Sequence, residues 1–533
     1  MNHQQHVPIT ELRDHNTDTT ENLNKFLKKY TTDEPAALDL IRKLCQALAE
    51  AGINYCHWKS NNVLDRSTSG DNDLDLLVCR ADMARFNMIL FQLGFKSANA
   101  PAHKQMHGVL DYFGFDKATK RIIHVHAHYQ LILGHDMTKN YRLPIEDPYL
   151  ESAVQLNLFK VPEAEFEFIV FVIRMVLKHS TWDAILGRES SLKATERKEL
   201  DYLQNRVKKE RVSDILSEHL PYIETELFEN CVKALQSGCS TWRRIKTGHQ
   251  LQKRLQVFAR HRLLIDTCLK LTRRVSMAIR RRVFKNLTKY RLGSGGAMIA
   301  IVGGDGAGKS TAIDGLYAWL SKNFTTTKIH LGKPDWSWIT ITIRGILKIG
   351  NLLGLYPVDS SFGETLAQKS LVSPGYPWLL REVCKARDRY RTYIRARRFA
   401  ANGGIVILDR FPLSEIKLMD GPQVERFIVQ LTDRPQAKQL MSPHQASPLV
   451  KFLVKLETSY YKQTVLPELL IVLRVDPEIA VQRKTDEDAA SVRERSTEIW
   501  ELDWKHTNAY VIDASKSKTE VLKELKTLVW SEL

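Results

Sequence analysis

The stretch IAIVGGDGAGKSTAIDGLYAWL, residues 299–320, joins an apolar run to a turn of small residues, a lysine and two hydroxyls. The apolar run from Met298 to Val302 is typical of a buried strand in a parallel sheet. The segment TAIDGLYAWL, residues 311–320, is typical of a helix. The order of strand, glycine-rich turn and helix predicts an α/β unit with a parallel sheet flanked by helices.

The turn itself fits the phosphate-loop pattern GxxxxGK[ST], which predicts a site for a nucleoside triphosphate and Mg²⁺. Small residues let backbone N–H groups curl around a phosphate. Lys309 can reach the β- and γ-phosphates, and the Ser310 hydroxyl can ligate Mg²⁺. The predicted triphosphate-binding residues of this loop are Gly303, Gly304, Asp305, Gly306, Ala307, Gly308, Lys309, Ser310 and Thr311.

A phosphate loop alone does not distinguish a kinase from a GTPase or a motor protein, and two acidic positions help to do so. Asp305 lies inside the loop, where a carboxylate is repelled by triphosphate unless it serves a metal or a substrate hydroxyl. The segment GGIVILDRFPLS, residues 403–414, predicts a second buried strand that ends in Asp409 and Arg410. Asp409 could hold Mg²⁺ and Arg410 could bridge two phosphates, although a salt-bridged strand end is the alternative.

A third strand and helix are predicted from LPELLIVLRVDPEIAVQRK, residues 466–484. Arg483 ends that helix, and Arg493 and Arg495 follow in a charged segment. These arginines could close over the triphosphate. The alternative is that they pair with neighbouring acids, namely Asp486, Glu487, Asp488 and Glu494.

Together, GGDGAGKST, ILDRF, PELLIVLRVDPEIAVQRK and AYVIDASKSKTEVLKEL resemble thymidylate kinase and related nucleoside monophosphate kinases over residues 297–533. The resemblance implies a Mg-ATP-dependent kinase of a nucleoside monophosphate, with dTMP as the first expectation. It implies Lys309, Asp409, Arg410 and Asp305 as catalytic residues. Ala307 stands where some members carry an arginine, whose charge Arg483, Arg493 and Arg495 would supply.

Long segments around the Asp409–Arg410 pair depart from the family pattern and leave the acceptor open. His330, Lys333 and Arg387 are candidate acceptor contacts. One alternative is a kinase of a phosphosugar or another anionic metabolite. Another is a non-catalytic nucleotide sensor that docks through a basic segment.

The stretch HWKSNNVLDRSTSGDNDLDLLV, residues 57–78, places Asp73 and Asp75 on one face of a predicted strand, where a divalent metal could neutralise them. Lys59 and Ser60 could meet a phosphate. This region, about residues 40–135, resembles the minimal nucleotidyltransferase fold, an α+β domain. The resemblance implies a third carboxylate on a later strand. That strand instead carries three histidines that could bind a transition metal, namely His124, His126 and His128. Asp111 could act as the third acid.

The 533 residues carry a net charge of +17, and much of the excess lies in residues 253–291, with thirteen Lys or Arg against one acid. This segment could bind an anionic membrane or nucleic acid, or could be a solvated helical connector. Seven scattered cysteines, a polar start and no long apolar run predict a cytoplasmic chain without a membrane span; a homodimer stays open. The expected organisation is a flexible tail (1–34), a nucleotidyltransferase-like domain (35–150), a helical region (151–240), a basic helical connector with a Gly-rich joint (241–296) and a kinase-like domain (297–533).

Overall fold

The structure is a computed structural model that describes residues 37–182, 191–279, 282, 289–353, 376–413, 415–416, 422 and 448–533. The chain forms two compact units: Met1–Phe95 with His103–Lys285, and Lys96–Ala102 with Asn286–Leu533. The predicted tail and most of the segment that follows the Asp409–Arg410 pair lie outside the described residues. Within the described ranges, no helix has both the length and the apolar character needed to cross a bilayer.

In chain order, the strands are β1 (Tyr55–His57), β2 (Leu74–Val78), β3 (Lys96–Asn99), β4 (Val109–Asp116), β5 (Arg121–His128), β6 (Ile132–Leu133), β7 (Tyr141–Arg142), β8 (Val154–Leu156), β9 (Phe159–Val161), β10 (Arg291–Leu292), β11 (Ala297–Gly303), β12 (Thr326–His330), β13 (Ile405–Asp409), β14 (Leu469–Arg474) and β15 (Ala509–Asp513).

In chain order, the α-helices are α1 (Asp39–Glu50), α2 (Leu64–Thr68), α3 (Met83–Gln92), α4 (Glu146–Glu151), α5 (Ala164–His179), α6 (Ala194–Gln204), α7 (Lys209–His219), α8 (Thr225–Leu235), α9 (Thr241–Arg254), α10 (Leu263–Ile279), α11 (Lys309–Leu320), α12 (Trp338–Leu352), α13 (Tyr376–Ala401), α14 (Pro448–Lys462), α15 (Pro477–Arg483), α16 (Ala489–Glu501) and α17 (Lys518–Glu532).

The first unit contains a mixed sheet in which β1, β2, β5 and β4 lie side by side in that order. Strands β2 and β5 run parallel, whereas β1 and β4 run antiparallel to their neighbours. Alternation along β2 buries Leu74 and Leu76 in the core that α1 and α3 cover. The same alternation turns Asp75 away from that core, and the strand register sets it opposite His126.

The region predicted to be helical from residue 151 begins with a short hairpin, β8 and β9, whose turn residue Asn157 has a φ of 51°. Asparagine tolerates this left-handed conformation better than most residues, which lets the chain reverse in two residues. Helix α5 follows and is buried along almost its whole length, because its sequence EFIVFVIRMVL is apolar except for Glu167 and Arg174. It packs against α6, α7, α8 and α9.

The basic segment, residues 253–291, begins at the end of α9 and continues through α10. Residues 280–281 and 283–288 lie outside the described residues. Part of its charge has partners inside the first unit. Lys270 and Asp266 form a buried ion pair of 2.7 Å on α10, and Arg254 pairs with Glu224. The predicted Gly-rich joint begins with strand β10, which pairs antiparallel with β3 in the second unit.

The second unit contains a parallel sheet in the order β12, β13, β11, β14, β15. The three central strands, AMIAIVG, IVILD and LLIVLR, are buried nearly throughout, as expected for a sheet covered on both faces. Helices α11 and α13 pack on the sheet, and α17 packs on β15 and α11. The structure confirms the predicted α/β architecture with a parallel sheet flanked by helices.

Candidate functional site

The predicted loop lies at the carboxyl end of the central strand β11. From β11 the chain crosses to the β12 edge, whereas the later strands β14 and β15 lie on the other side. A change in crossover direction leaves a crevice beyond the strand ends, where α/β sheets place their ligands. The loop leads into α11 through Gly308, the residue that caps this helix. The first N–H groups of a helix have no partner within it, so they are available to an anion.

Two glycines bring the loop into close contact with the helices that follow β14. A Cβ on Gly304 would lie 2.8 Å from the Ser496 Oγ atom, and one on Gly306 would lie 2.6 Å from the Ala480 carbonyl oxygen. Gly306 also has a φ of 76°, which favours glycine. Ser496 donates a hydrogen bond of 3.1 Å to the Asp305 carbonyl. The loop is therefore held by contacts that exclude a side chain at either glycine.

Lys309 and Asp305 lie together at the base of the loop. The Lys309 ammonium donates to the carbonyls of Gly303 and Gly304 at 2.9 and 2.8 Å, and lies 3.8 Å from the Asp305 carboxylate. Asp305 is buried and forms an ion pair of 2.6 Å with Arg495. Ser310 and Thr311 are exposed at the start of α11. The lysine thus curls over its own loop, within reach of an anion placed there.

Asp409 ends the neighbouring strand β13, and Arg410 follows it directly. The register pairs Asp409 with Ile301 on one side and with His330 on the other, so the Asp409–Arg410 pair lies at the same sheet edge as the loop. The Asp409 Oδ1 atom is buried without a hydrogen-bond partner among the described residues, and the Oδ2 atom lies 3.7 Å from the His330 ring. Arg410 has a φ of 57°, a strained conformation that is common at functional sites.

The predicted acceptor contacts lie at the end of β12, in the turn after it and on helix α13. Arg387 is partly exposed and donates to the Ser337 hydroxyl at 3.0 Å. His330 is half-exposed beside Asp409, and Lys333 is exposed. The structure adds Arg389, a buried side chain that the sequence reasoning missed.

Arg389 holds the turn after β12. It donates to the Leu331 carbonyl at 2.9 Å and to the Tyr461 hydroxyl at 2.8 Å. Burial raises the pKa of Tyr461 to about 12, so its hydroxyl keeps its proton. Arg389 stands in the Arg-rich run CKARDRYRTYIRARR, in which only a helical burial pattern could have marked it out.

The three predicted lid arginines have different partners. Arg483 donates to the carbonyls of Ala514 and Ser515 at 2.7 and 3.2 Å. Arg493 forms a two-bond pair with Glu478, at 2.7 and 2.9 Å. Arg495 reaches the loop itself through Asp305 and also contacts Glu487 at 3.1 Å. Of the three, Arg495 is the one that the structure brings to the glycine-rich loop.

The acids and histidines of the first unit form a second cluster on the sheet. Lys59 contacts the Asp75 Oδ1 atom at 2.9 Å, and His126 and His128 lie 3.2 and 3.8 Å from the same oxygen. Burial opposes ionisation of Asp75, but the Lys59 ammonium and hydrogen bonds from the histidines hold its pKa well below the usual range. The cluster is therefore a network of charged and hydrogen-bonded side chains and not a pair of isolated acids.

Asp111 joins this cluster from β4. Its Oδ1 atom lies 2.8 Å from His124 Nε2, and the His124 Nδ1 atom lies 3.0 Å from Asp73. Burial works against the charged ring, but hydrogen bonds to Asp111 and Asp73 raise the pKa of His124 to about 9. The register between β4 and β5 explains why Asp111 is near, although nothing in the local sequence indicated it.

No protein-family model matches the chain. The chain is similar to the "Uncharacterized ATP-binding protein YghR" of Escherichia coli (strain K12), with 27% identity over 241 residues, which cover 44% of this chain and 86% of the relative. It is also similar to the "Uncharacterized ATP-binding protein YghS" of the same strain, with 27% identity over 242 residues, which cover 41% of this chain and 90% of the relative.

Proposed function

We propose that the second unit is a Mg²⁺-dependent phosphotransferase that binds ATP in the glycine-rich loop, residues 303–311, and transfers the γ-phosphoryl group to a phosphorylated small molecule. The observation that carries this proposal is the shared sheet edge of Lys309, Asp305 and Asp409 at the crossover switch. The printed names of the two relatives, both ATP-binding proteins, support the first half of the proposal.

The residues present fit a bound Mg²⁺ ion. A buried carboxylate oxygen without a partner is costly unless a cation neutralises it, and Asp409 Oδ1 is such an atom among the described residues. The exposed Ser310 hydroxyl offers a second oxygen ligand at the start of α11. Ser310 and Asp409 would hold the ion, which neutralises charge on the phosphates when bound.

The chain's own groups would then orient the donor. Amides at the start of α11 receive the phosphates, and Lys309 exchanges its bonds to Gly303 and Gly304 for bonds to phosphate oxygens. Arg495, held at the loop by Asp305, supplies positive charge from α16. Arg410, at the end of β13, is the proposed bridge between donor and acceptor phosphates.

The acceptor is proposed to be a nucleoside monophosphate, with dTMP first, because of the resemblance to thymidylate kinase over residues 297–533. Three side chains would face its phosphate: His330 from the end of β12, Lys333 from the turn after β12 and Arg387 from α13. Nucleotide transfer by the first unit, through Asp73 and Asp75, and an anionic partner for residues 253–291 stay predictions.

The test compares Lys309→Ala with the control Lys322→Ala, an exposed lysine beyond α11. We expect Lys309→Ala to weaken ATP binding at least tenfold in calorimetry, and to lower turnover about 100-fold, because a preorganised charge is lost. Turnover is read by mass spectrometry against a panel of nucleoside monophosphates and phosphosugars. Equal ATP affinity in the two variants would refute the phosphate loop, and transfer to a phosphosugar alone would refute the nucleotide acceptor.

A further inference from the structure

Three side chains of the first unit turn ligand atoms toward one point. The Asp75 Oδ1 atom lies 3.2 Å from His126 Nδ1 and 3.8 Å from His128 Nε2, and those two nitrogens are 3.4 Å apart. His128 is fully buried, and Asp75 and His126 are largely buried, with 16% and 18% of their side chains exposed. Among the acids, histidines and cysteines of the described residues, these three have ligand atoms that all lie within 4.8 Å of one another, close enough to share a metal ion.

The spacing of the three donors matches a first-row metal ion. Three atoms separated by 3.2, 3.8 and 3.4 Å lie on a circle with a radius of about 2.0 Å. Bonds from Zn²⁺ to histidine nitrogen and to carboxylate oxygen are about 2.0–2.2 Å long, so an ion near the centre reaches all three. Two nitrogens in a set of three suit a transition metal and do not suit Mg²⁺, which prefers oxygen.

A buried carboxylate stands behind one of these ligands. When His126 presents Nδ1 to the centre, its Nε2 atom faces the Asp111 Oδ1 atom at 3.5 Å. An acid behind the far nitrogen of a ligating histidine fixes the ring tautomer and raises its basicity. The register across β4, β5 and β2 builds this line of acid, imidazole and acid. Asp111 is therefore placed as a positioning residue for His126.

We propose that Asp75, His126 and His128 bind a divalent transition-metal ion of the zinc class, with the remaining coordination position open to water or to a phosphate oxygen. This site differs from the magnesium site on Asp73 and Asp75 that the nucleotidyltransferase resemblance implies. It lies in the first unit and does not depend on the proposed phosphotransfer. Lys59, whose ammonium is 2.9 Å from Asp75 Oδ1, competes with the metal for that oxygen.

The experiment uses the full chain, stripped with a chelator and titrated with Zn²⁺ against a chromophoric chelator. We expect one Zn²⁺ per chain, with affinity at least tenfold weaker in Asp75→Asn and in His126→Gln. Asp111→Asn is expected to lose about 10- to 100-fold, as for other residues behind a metal ligand. Co²⁺ serves as a second probe, because its visible absorption reports a four-coordinate nitrogen and oxygen environment.

Two matched variants separate a metal site from a hydrogen-bond network. His249→Gln, an exposed histidine on α9, should leave the affinity unchanged. Lys59→Met should tighten Zn²⁺ binding, since it removes the competing charge. If Lys59 and Asp75 formed only a structural ion pair, Lys59→Met would not tighten Zn²⁺ binding. Circular dichroism of the metal-free variants checks that each is folded.

Three results would overturn the proposal: no Zn²⁺ binding by the wild-type chain, wild-type affinity for Zn²⁺ in both Asp75→Asn and His126→Gln, or no absorption band with Co²⁺. Lys309→Ala should keep the metal. Failure of this proposal is thereby distinguishable from failure of the proposed ATP site.

Discussion

Gly306→Ala is expected to disrupt the glycine-rich loop far more than Gly308→Ala, although both glycines have nearly the same backbone conformation, with φ values of 76° and 79°. Each alanine carries the cost of a left-handed residue, about 1–2 kcal/mol. At Gly308 the added Cβ would meet no heavy atom of the described chain within 4 Å, so that cost is the whole effect.

At Gly306 the same Cβ would lie 2.6 Å from the Ala480 carbonyl oxygen and 2.9 Å from the Ala480 Cα atom. These are backbone atoms of α15, which cannot rotate away as a side chain would. Overpacking of this kind costs about 1–3 kcal/mol in addition. Gly306→Ala should therefore cost about 2–5 kcal/mol in total, against about 1–2 kcal/mol for Gly308→Ala.

The assay is hydrogen exchange of peptides that cover the loop and the first turns of α11. With about 1.4 kcal/mol for each tenfold change, protection should fall about tenfold in Gly308→Ala and 30-fold or more in Gly306→Ala. ATP titration of the same samples should show the larger loss of affinity in Gly306→Ala. Equal protection in the two variants would refute the packing of the loop against α15.

Two further predictions concern charges. Arg495→Ala should weaken ATP binding about tenfold, because Arg495 is held at the loop by Asp305. Arg493→Ala removes an exposed pair with Glu478 and should change ATP affinity less than twofold. Calorimetry with ATP measures both affinities, and equal losses would contradict the placement of Arg495 at the ATP site. Burial raises the pKa of Glu167 from 4.5 to about 7, so the folded chain holds a proton that the unfolded chain has released, and stability falls as the pH rises from about 4.5 to about 7. Glu167→Gln removes this penalty and should stabilise the first unit at pH 8 by on the order of 3 kcal/mol, with little effect at pH 4. Urea unfolding of both proteins at pH 4 and pH 8 measures the free energy of unfolding. If its change between the two pH values is the same in Glu167→Gln as in the wild type, Glu167 is not the titrating group.

Several features of this protein follow from short stretches of sequence. The apolar runs of β11, β13 and β14 predict a buried parallel sheet, and the order of strand, glycines and lysine predicts the loop that the structure places at the end of β11. These features depend on backbone conformation and burial over fewer than about ten residues, which neighbouring residues determine. The α/β architecture was therefore predictable.

The partners of the site residues depend on tertiary structure. Asp111 meets His124 and His126 because β4 pairs antiparallel with β5, and Arg495 meets Asp305 across 190 positions of the chain. The predicted alternative for the arginines named acids close in sequence, and Arg495 does contact one of them, Glu487. Arg493 instead pairs with Glu478 on another helix. Strand register and helix packing decide such contacts, and both arise from the burial of many distant side chains at once. A short sequence pattern does not contain the contacts of distant side chains, so only the folded chain shows which charged groups pair.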